Sequence, residues 1–135
     1  LDRFEAWNMH ITGMDFCTGS RFVSPIPSQG KGDLFLDLAT GFMKRLPCPR
    51  TMAPAFPGHA AAALLEAAKQ SGAKGVMGLT LKFCDPYLAR IPLMRQELQK
   101  ASLPLLALES DCTPGAVEQH RTRIEAFTEM LGGNR

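Results

Sequence analysis

The sequence has no strong excess of either charge and no long apolar run. Fifteen Lys and Arg residues against 13 Asp and Glu residues give a net charge of +2 and a pI near 8.5. No basic stripe with interleaved aromatic residues occurs, so a nucleic-acid partner is not expected. No apolar run is long enough to cross a bilayer, and no signal peptide opens the chain. We therefore expect no membrane association and a cytoplasmic location.

Two kinds of short binding motif are also missing. The glycine-rich nucleotide motifs GxGxxG and GxxxxGK[ST] do not occur, which excludes the two familiar nucleotide sites. The four cysteines include no close pair, which argues against a self-contained zinc site, and without a secretory signal reduced thiols are favoured over disulfides. The histidines share no metal-ligand spacing, and we expect surface or capping roles for His10, His59 and His120.

What is present is typical of one globular domain. Of the 135 residues, 45% are hydrophobic and 21% are charged, a composition that can bury a core. We predict a single α/β domain over residues 1–135. Because residues 1–7 have the pattern of the second half of a helix, we expect the chain to be a fragment of a larger subunit.

Hydrophobic periodicity predicts an alternation of helices and strands. Strands are predicted at 10–14, 75–81 and 103–108. Helices are predicted at 1–7, from the Asp33 cap to residue 46, at 58–70, at 92–101 and at 117–131. Gly72 is expected to be the C-cap of the helix at 58–70. This order predicts a parallel sheet with helices on both faces. Leu93, Met94 and Leu98 are expected to face the sheet.

Cys84 lies where the second predicted strand stops. Asp85 then provides a cap and Pro86 the first helical position. At the carboxyl edge of an open α/β sheet, where ligands bind, a helix N-terminus favours thiolate over thiol. A small buried core residue is the alternative interpretation. We expect this edge to bring Cys17, Cys84 and the loop 110–113 into one crevice.

Residues 17–21 (CTGSR) have a functional and a structural interpretation. Backbone N–H groups near Gly19 and Ser20, with the Arg21 guanidinium, suit an anion such as a CoA phosphate. Alternatively, the segment is only a turn that closes a strand. A cysteine phosphatase loop is not expected, because too few residues separate Cys17 from Arg21.

The remaining polar candidates favour structural roles. Cys48 lies between two prolines and suits a rigid loop, and Cys112 is expected near the edge that carries Cys84 without necessarily being a ligand. Glu109 and Asp111 precede a predicted helix, where acidic residues are usually caps or dipole partners.

Four segments follow one another along nearly the whole chain: 15–21 (DFCTGSR), 47–50 (PCPR), 81–86 (LKFCDP) and 121–127 (RTRIEAF). Together they resemble the C-terminal domain of the 2-hydroxyacyl-CoA dehydratase and benzoyl-CoA reductase family. The resemblance implies a flavodoxin-like fold with three α/β/α layers. It also implies that each of two homologous subunits holds a 4Fe-4S cluster through three cysteines.

In that family the cysteine of the Lys-Phe-Cys-Asp-Pro motif is an iron ligand, and here that position is Cys84. The other two ligands come from an N-terminal domain that this chain lacks. Cys17 and Cys48 match family sequence but not its ligand positions. We therefore expect a cluster in the complete subunit and not in this chain alone.

The resemblance implies a radical dehydration of 2-hydroxyacyl-CoA to 2-enoyl-CoA that needs an ATP-driven activator protein. A benzoyl-CoA reductase subunit is the first alternative. A domain that keeps the fold as a scaffold or subunit interface, without catalysis, is the second. This chain by itself is expected to be inactive.

Overall fold

The computed structural model describes residues 2–16, 26–28, 30–44, 56–111 and 113–132. Seven helices and two strands are found in this part of the chain. They are α1 (Asp2–Ala6), α2 (Leu34–Lys44), α3 (Phe56–Ser71), β1 (Val76–Leu81), α4 (Asp85–Leu88), α5 (Ile91–Lys100), β2 (Leu105–Ser110), α6 (Pro114–Gln119) and α7 (Arg121–Gly132).

The two strands pair in parallel, as the alternation of elements predicts. Val76 lies opposite Leu105 and Leu81 opposite Ser110. The connection between them passes through α4 and α5, since parallel neighbours need a crossover rather than a tight turn. The chain is therefore a mixed α/β protein with a small, open, parallel sheet.

Helices lie against both faces of this sheet. On one face, Trp7, Leu108 and Ile124 form a buried cluster that brings α1 and α7 together on β2. Gly75, the residue before β1, leaves room for α7, because a Cβ there would lie 2.9 Å from Leu131 Cδ1 and the leucine side chain would have to shift. On the opposite face, the Ile91 side chain of α5 lies over Gly78, whose added Cβ would be 4.0 Å from it.

The outer edge of β2 is closed by two side chains near the start of α7. Arg123 Nη2 donates to the carbonyl of Ala107 (3.0 Å), and His120 Nε2 donates to the carbonyl of Glu109 (2.9 Å). Unpaired backbone N–H and C=O groups on a sheet edge can pair with another strand unless they are covered. Arg123 and His120 thus cover two carbonyls on this side of β2, and among the described residues no strand pairs with that edge.

Helices α3 and α5 pack together beside the sheet. The predicted C-cap of α3 is confirmed, because Gly72 has φ +65°, a left-handed conformation that glycine adopts without strain. Leu98 of α5 is fully buried and Met94 half-buried, as expected. The prediction was wrong for Leu93, which is 45% exposed.

Two of the predicted elements differ in the structure. Residues 10–14 form no strand; this short run contains Gly13, which lies beside Ser71, and no described strand pairs with it. The predicted helix 117–131 is two helices that meet at His120, whose side chain bonds to β2. In the described part of the chain, every helix is too short or too polar to span a bilayer.

Candidate functional site at the carboxyl edge of the sheet

The segments that follow β1 and β2 are joined at the carboxyl edge of the sheet. Lys82 N donates to the carbonyl of Ser110 (2.8 Å), which extends the ladder by one residue beyond β1. Lys82 Nζ lies 3.1 Å from Asp111 Oδ2. The prediction that the loops after Leu81 and Leu108 meet at one edge is confirmed for these two strands.

Asp111 organises the loop that leads into α6. Its Oδ1 accepts hydrogen bonds from the backbone N–H of Thr113 (3.2 Å) and from the Thr113 hydroxyl. The Thr113 hydroxyl, then Lys82, hold the pKa of the Asp111 carboxyl below its usual value. The bond to Thr113 N closes a turn ahead of α6, which begins at Pro114, so Asp111 orders the approach to the helix without capping its first turn, and the ion pair with Lys82 adds a second role.

A tight turn carries the chain from β1 to Cys84. Cys84 N donates to the carbonyl of Leu81 (3.1 Å), which closes a four-residue turn with Phe83 at its third position. Phe83 has φ +64°, a conformation that turns of this kind reserve for glycine or asparagine. Its side chain is also 91% exposed. Phe83 therefore adopts a strained backbone conformation without burying its ring in this chain.

Cys84 occupies the N-cap position of α4. Its carbonyl accepts hydrogen bonds from Tyr87 N (2.9 Å) and Leu88 N (3.0 Å), and its side chain makes no capping bond. The helix begins at Asp85, so the prediction of Asp85 as the cap was wrong by one residue.

The Cys84 side chain is half-buried and takes part in no disulfide. A thiolate is the ligand that iron–sulfur clusters require, so its chemistry fits one position of such a cluster. No group of three or more His, Cys, Asp and Glu side chains able to bind a metal occurs in the described ranges. Cys84 therefore suits one ligand position of a cluster, and the described residues do not form a complete cluster site.

Several residues singled out from the sequence lie outside the described part of the chain. They are Cys17, Gly19, Ser20, Arg21, Cys48 and Cys112. The suggested anion contact and the convergence of Cys17 with Cys84 therefore stay predictions. Met14, expected at the same edge, belongs to no strand.

Sequence reasoning missed Lys82 and Phe83. A signal for Lys82 was present, because opposite charges directly after two neighbouring parallel strands can meet across their ends. No such signal marked Phe83. The run LKFCDP contains neither glycine nor asparagine, the residues that usually announce a left-handed backbone.

Comparison with known proteins identifies the family. Residues 1–131 match the family model described as "2-hydroxyglutaryl-CoA dehydratase, D-component". The chain belongs to this family. In this member of a dehydratase family, Cys84 follows a parallel strand at the carboxyl edge of the sheet.

Two characterised relatives are both named as beta subunits. Lactoyl-CoA dehydratase subunit beta of Anaerotignum propionicum is 27% identical over 131 residues, which is 97% of this chain and 34% of that protein. (R)-phenyllactyl-CoA dehydratase beta subunit of Clostridium sporogenes is 37% identical over 68 residues, 50% of this chain and 18% of that protein. The chain thus spans about a third, at most, of each relative. No solved structure matches it.

Proposed function

We propose that this chain is part of a 2-hydroxyacyl-CoA dehydratase subunit and contributes Cys84 as one iron ligand of a 4Fe-4S cluster. The observation that carries the proposal is the family match over residues 1–131. Both relatives bear dehydratase names, which favours dehydration over the reduction of an aromatic ring. The substrate class is accordingly a CoA thioester with a hydroxyl group at carbon 2.

Geometry at the sheet edge supports the role of Cys84. Its backbone is fixed on one side by the bond to Leu81 and on the other by the bonds from Tyr87 and Leu88. The preceding Lys82 is tied to the neighbouring strand through Ser110 and Asp111. A ligand held on a rigid turn keeps its position without the metal. The thiol also takes no part in capping α4, so its sulfur is not committed to the fold.

When bound, the cluster supplies an open iron position and a low-potential electron for the elimination of the hydroxyl group. The part of this chain described here contributes one thiol and its rigid support. The other two ligands belong, on this proposal, to parts of the subunit outside this chain. A homologous second subunit and an ATP-driven activator complete the proposed assembly, and a cytoplasmic location goes with it.

We further propose that the two strands are part of a larger, flavodoxin-like parallel sheet. Helices α1 and α7 on one face and α5 on the other are the arrangement that three α/β/α layers require. Because β2 is closed by Arg123 and His120, the sheet would continue on the β1 side.

The decisive experiment substitutes Cys84 by serine in the complete subunit, purified without oxygen together with its partner subunit. Serine keeps the volume but is a poor iron ligand, so Cys84→Ser should lose most iron and acid-labile sulfide. Thermal stability should change by less than about 1 kcal/mol, since Cys84 is only half-buried. Dehydration of a 2-hydroxyacyl-CoA should fall with the iron content.

Cys48→Ser is the matched control, because proline-flanked Cys48 is assigned a structural role. It should retain cluster and activity. If the two variants have the same iron content and turnover, Cys84 is not a ligand. If the unsubstituted subunit contains no iron, the scaffold alternative replaces the enzyme.

A further inference from the structure

One face of β1 is covered at the start of the strand and open at its end. Met77 packs against the buried cluster that α1 and α7 form on the sheet. Because alternate side chains of a strand lie on the same face, Leu79 and Leu81 share this face with Met77, yet each is 50% exposed. On the opposite face Thr80 is buried. The cover that α1 and α7 give to β1 therefore ends after Met77.

The apolar surface continues into the turn that follows β1. Phe83 comes two positions after Leu81, is 91% exposed and directly precedes Cys84. We call Leu79, Leu81 and Phe83 the β1 strip. The one charged residue within this stretch, Lys82, is paired with Asp111, so covering the strip buries no unpaired charge. Exposed apolar residues that adjoin one another mark interaction sites more often than scattered ones do.

Two observations indicate that another surface packs on the β1 strip. Parallel sheets are almost always buried on both faces, whereas Leu79 and Leu81 keep half of their surface open to solvent. The backbone of Phe83 has φ +64°, which is unfavourable for an L-residue, and the ring gains no burial in this chain. A surface packed on the strip would complete the burial of β1 and supply contacts that offset the strain at Phe83.

We propose that the remainder of the same subunit packs on the β1 strip. The inference rests on the proposed function, in which a cluster bound by Cys84 takes its other ligands from outside this chain. The described residues hold no complete ligand set, so the part that carries the other ligands must approach the turn at Cys84, which the strip adjoins. The lactoyl-CoA dehydratase subunit is matched over only 34% of its length, which leaves about two thirds of such a subunit to form this surface.

The position of Cys84 favours this occupant over a second copy of the chain. A copy packed on the strip would lie directly beside the thiol and fill the space through which the other ligands reach it. The remainder of the subunit brings those ligands with it. Packing on the strip would also exclude water from the side of the cluster that Phe83 adjoins.

Hydroxyl-radical footprinting tests the proposal, because the oxidation rate of a Leu or Phe side chain follows its exposure to solvent. The complete subunit, purified without its partner subunit, is compared with the 135-residue chain. The three residues of the β1 strip should react at least about fivefold more slowly in the complete subunit, as expected for side chains that become buried. Leu93 is the control, since it is 45% exposed on α5, and it should react equally in both.

Iron and acid-labile sulfide in the same samples test the proposed function separately. A strip that is protected in a subunit without iron supports the packing and contradicts the cluster. A strip that stays reactive in a subunit that holds iron overturns the packing alone. Protection already present in the 135-residue chain assigns the strip to another segment of this chain, and protection that appears only with the partner subunit assigns it to that subunit. Either result overturns the proposal, as does equal protection of Leu93.

Phe83→Gly provides a second measurement that does not depend on labelling. In the 135-residue chain the substitution relieves the left-handed backbone and should raise the melting temperature. In the complete subunit it removes a ring that is packed on the remainder, so the melting temperature should fall. A change of the same sign in both proteins overturns the proposal.

Discussion

Lys82 and Asp111, 29 positions apart in the sequence, form an ion pair of 3.1 Å that joins the ends of the two parallel strands. Both side chains are close to half exposed. The pair connects the loop that begins α6 to the turn that precedes Cys84. The position of the cysteine thus depends on the strand beside it as well as on its own turn.

Asp111→Asn should lower the melting temperature of the chain. The amide oxygen can still accept a hydrogen bond from Thr113, but the charge that attracts Lys82 is lost. Glu97→Gln is the control, because Glu97 pairs with Lys100 only three residues away on the exposed side of α5, and such local pairs contribute little. Thermal unfolding near neutral pH should show a larger decrease for Asp111→Asn; equal decreases would contradict the cross-strand role.

The contribution of Asp111 should disappear in acid. Since the folded-state pKa lies below the usual value, the stabilisation is complete above the unfolded pKa of about 3.9 and is lost as the pH falls through the folded pKa. Melting temperatures of the unsubstituted chain and of Asp111→Asn should therefore differ by a constant amount at mildly acidic and neutral pH. Below the unfolded pKa the difference should shrink. A difference in melting temperature that grows in acid would contradict this prediction.

Phe83→Gly should stabilise the chain. A left-handed backbone costs an L-residue roughly 1–2 kcal/mol, whereas glycine loses roughly 0.5–1 kcal/mol of entropy on folding. With the ring 91% exposed, little packing is lost, so the net gain should reach up to about 1 kcal/mol, or a few degrees in melting temperature. Leu93→Gly, in the interior of α5, should instead destabilise by at least about 1 kcal/mol.

Leu98→Ala should destabilise the chain by about 2–5 kcal/mol, because Leu98 is fully buried where α5 packs and its removal leaves a cavity. Leu93→Ala, on the same helix but 45% exposed, should cost less than about 1 kcal/mol. Urea unfolding of both variants measures the two values. Similar losses would mean that α5 packs through a different face.

The 135-residue chain alone should be colourless and free of iron after purification, because one thiolate cannot hold a cubane cluster against solvent. Metal analysis and a visible absorption spectrum of the purified chain test this. A stoichiometric cluster would show that Cys17, Cys48 and Cys112 converge on Cys84. Serine substitution at each of these positions would then identify the ligands.

The sequence by itself determined those elements whose signals are local. Asp33 caps α2 by accepting a hydrogen bond from Leu36 N (2.9 Å), and Gly72 ends α3, both as predicted. The two strands that flank α4 and α5 were also found, with β2 shifted by two residues. Each of these depends on residue types within one turn or one short apolar run.

Family membership was likewise present in the sequence. The motif around Cys84 and the segments before and after it were sufficient to indicate the dehydratase family, and the match over residues 1–131 agrees. The role of Cys84 as an iron ligand remains a prediction of that resemblance.

Only the tertiary structure decided what depends on residues distant in the sequence. His120 interrupts the last helical run because its side chain reaches the carbonyl of Glu109 on β2. Phe83 adopts a left-handed backbone because the bonds at Lys82 and Cys84 close a turn around it. Residues 10–14 have strand-like character but form no strand, since an extended segment is stable only beside a partner. The break at His120, the backbone of Phe83 and the absence of a strand at 10–14 all depend on contacts between distant segments. Local propensity does not encode such contacts.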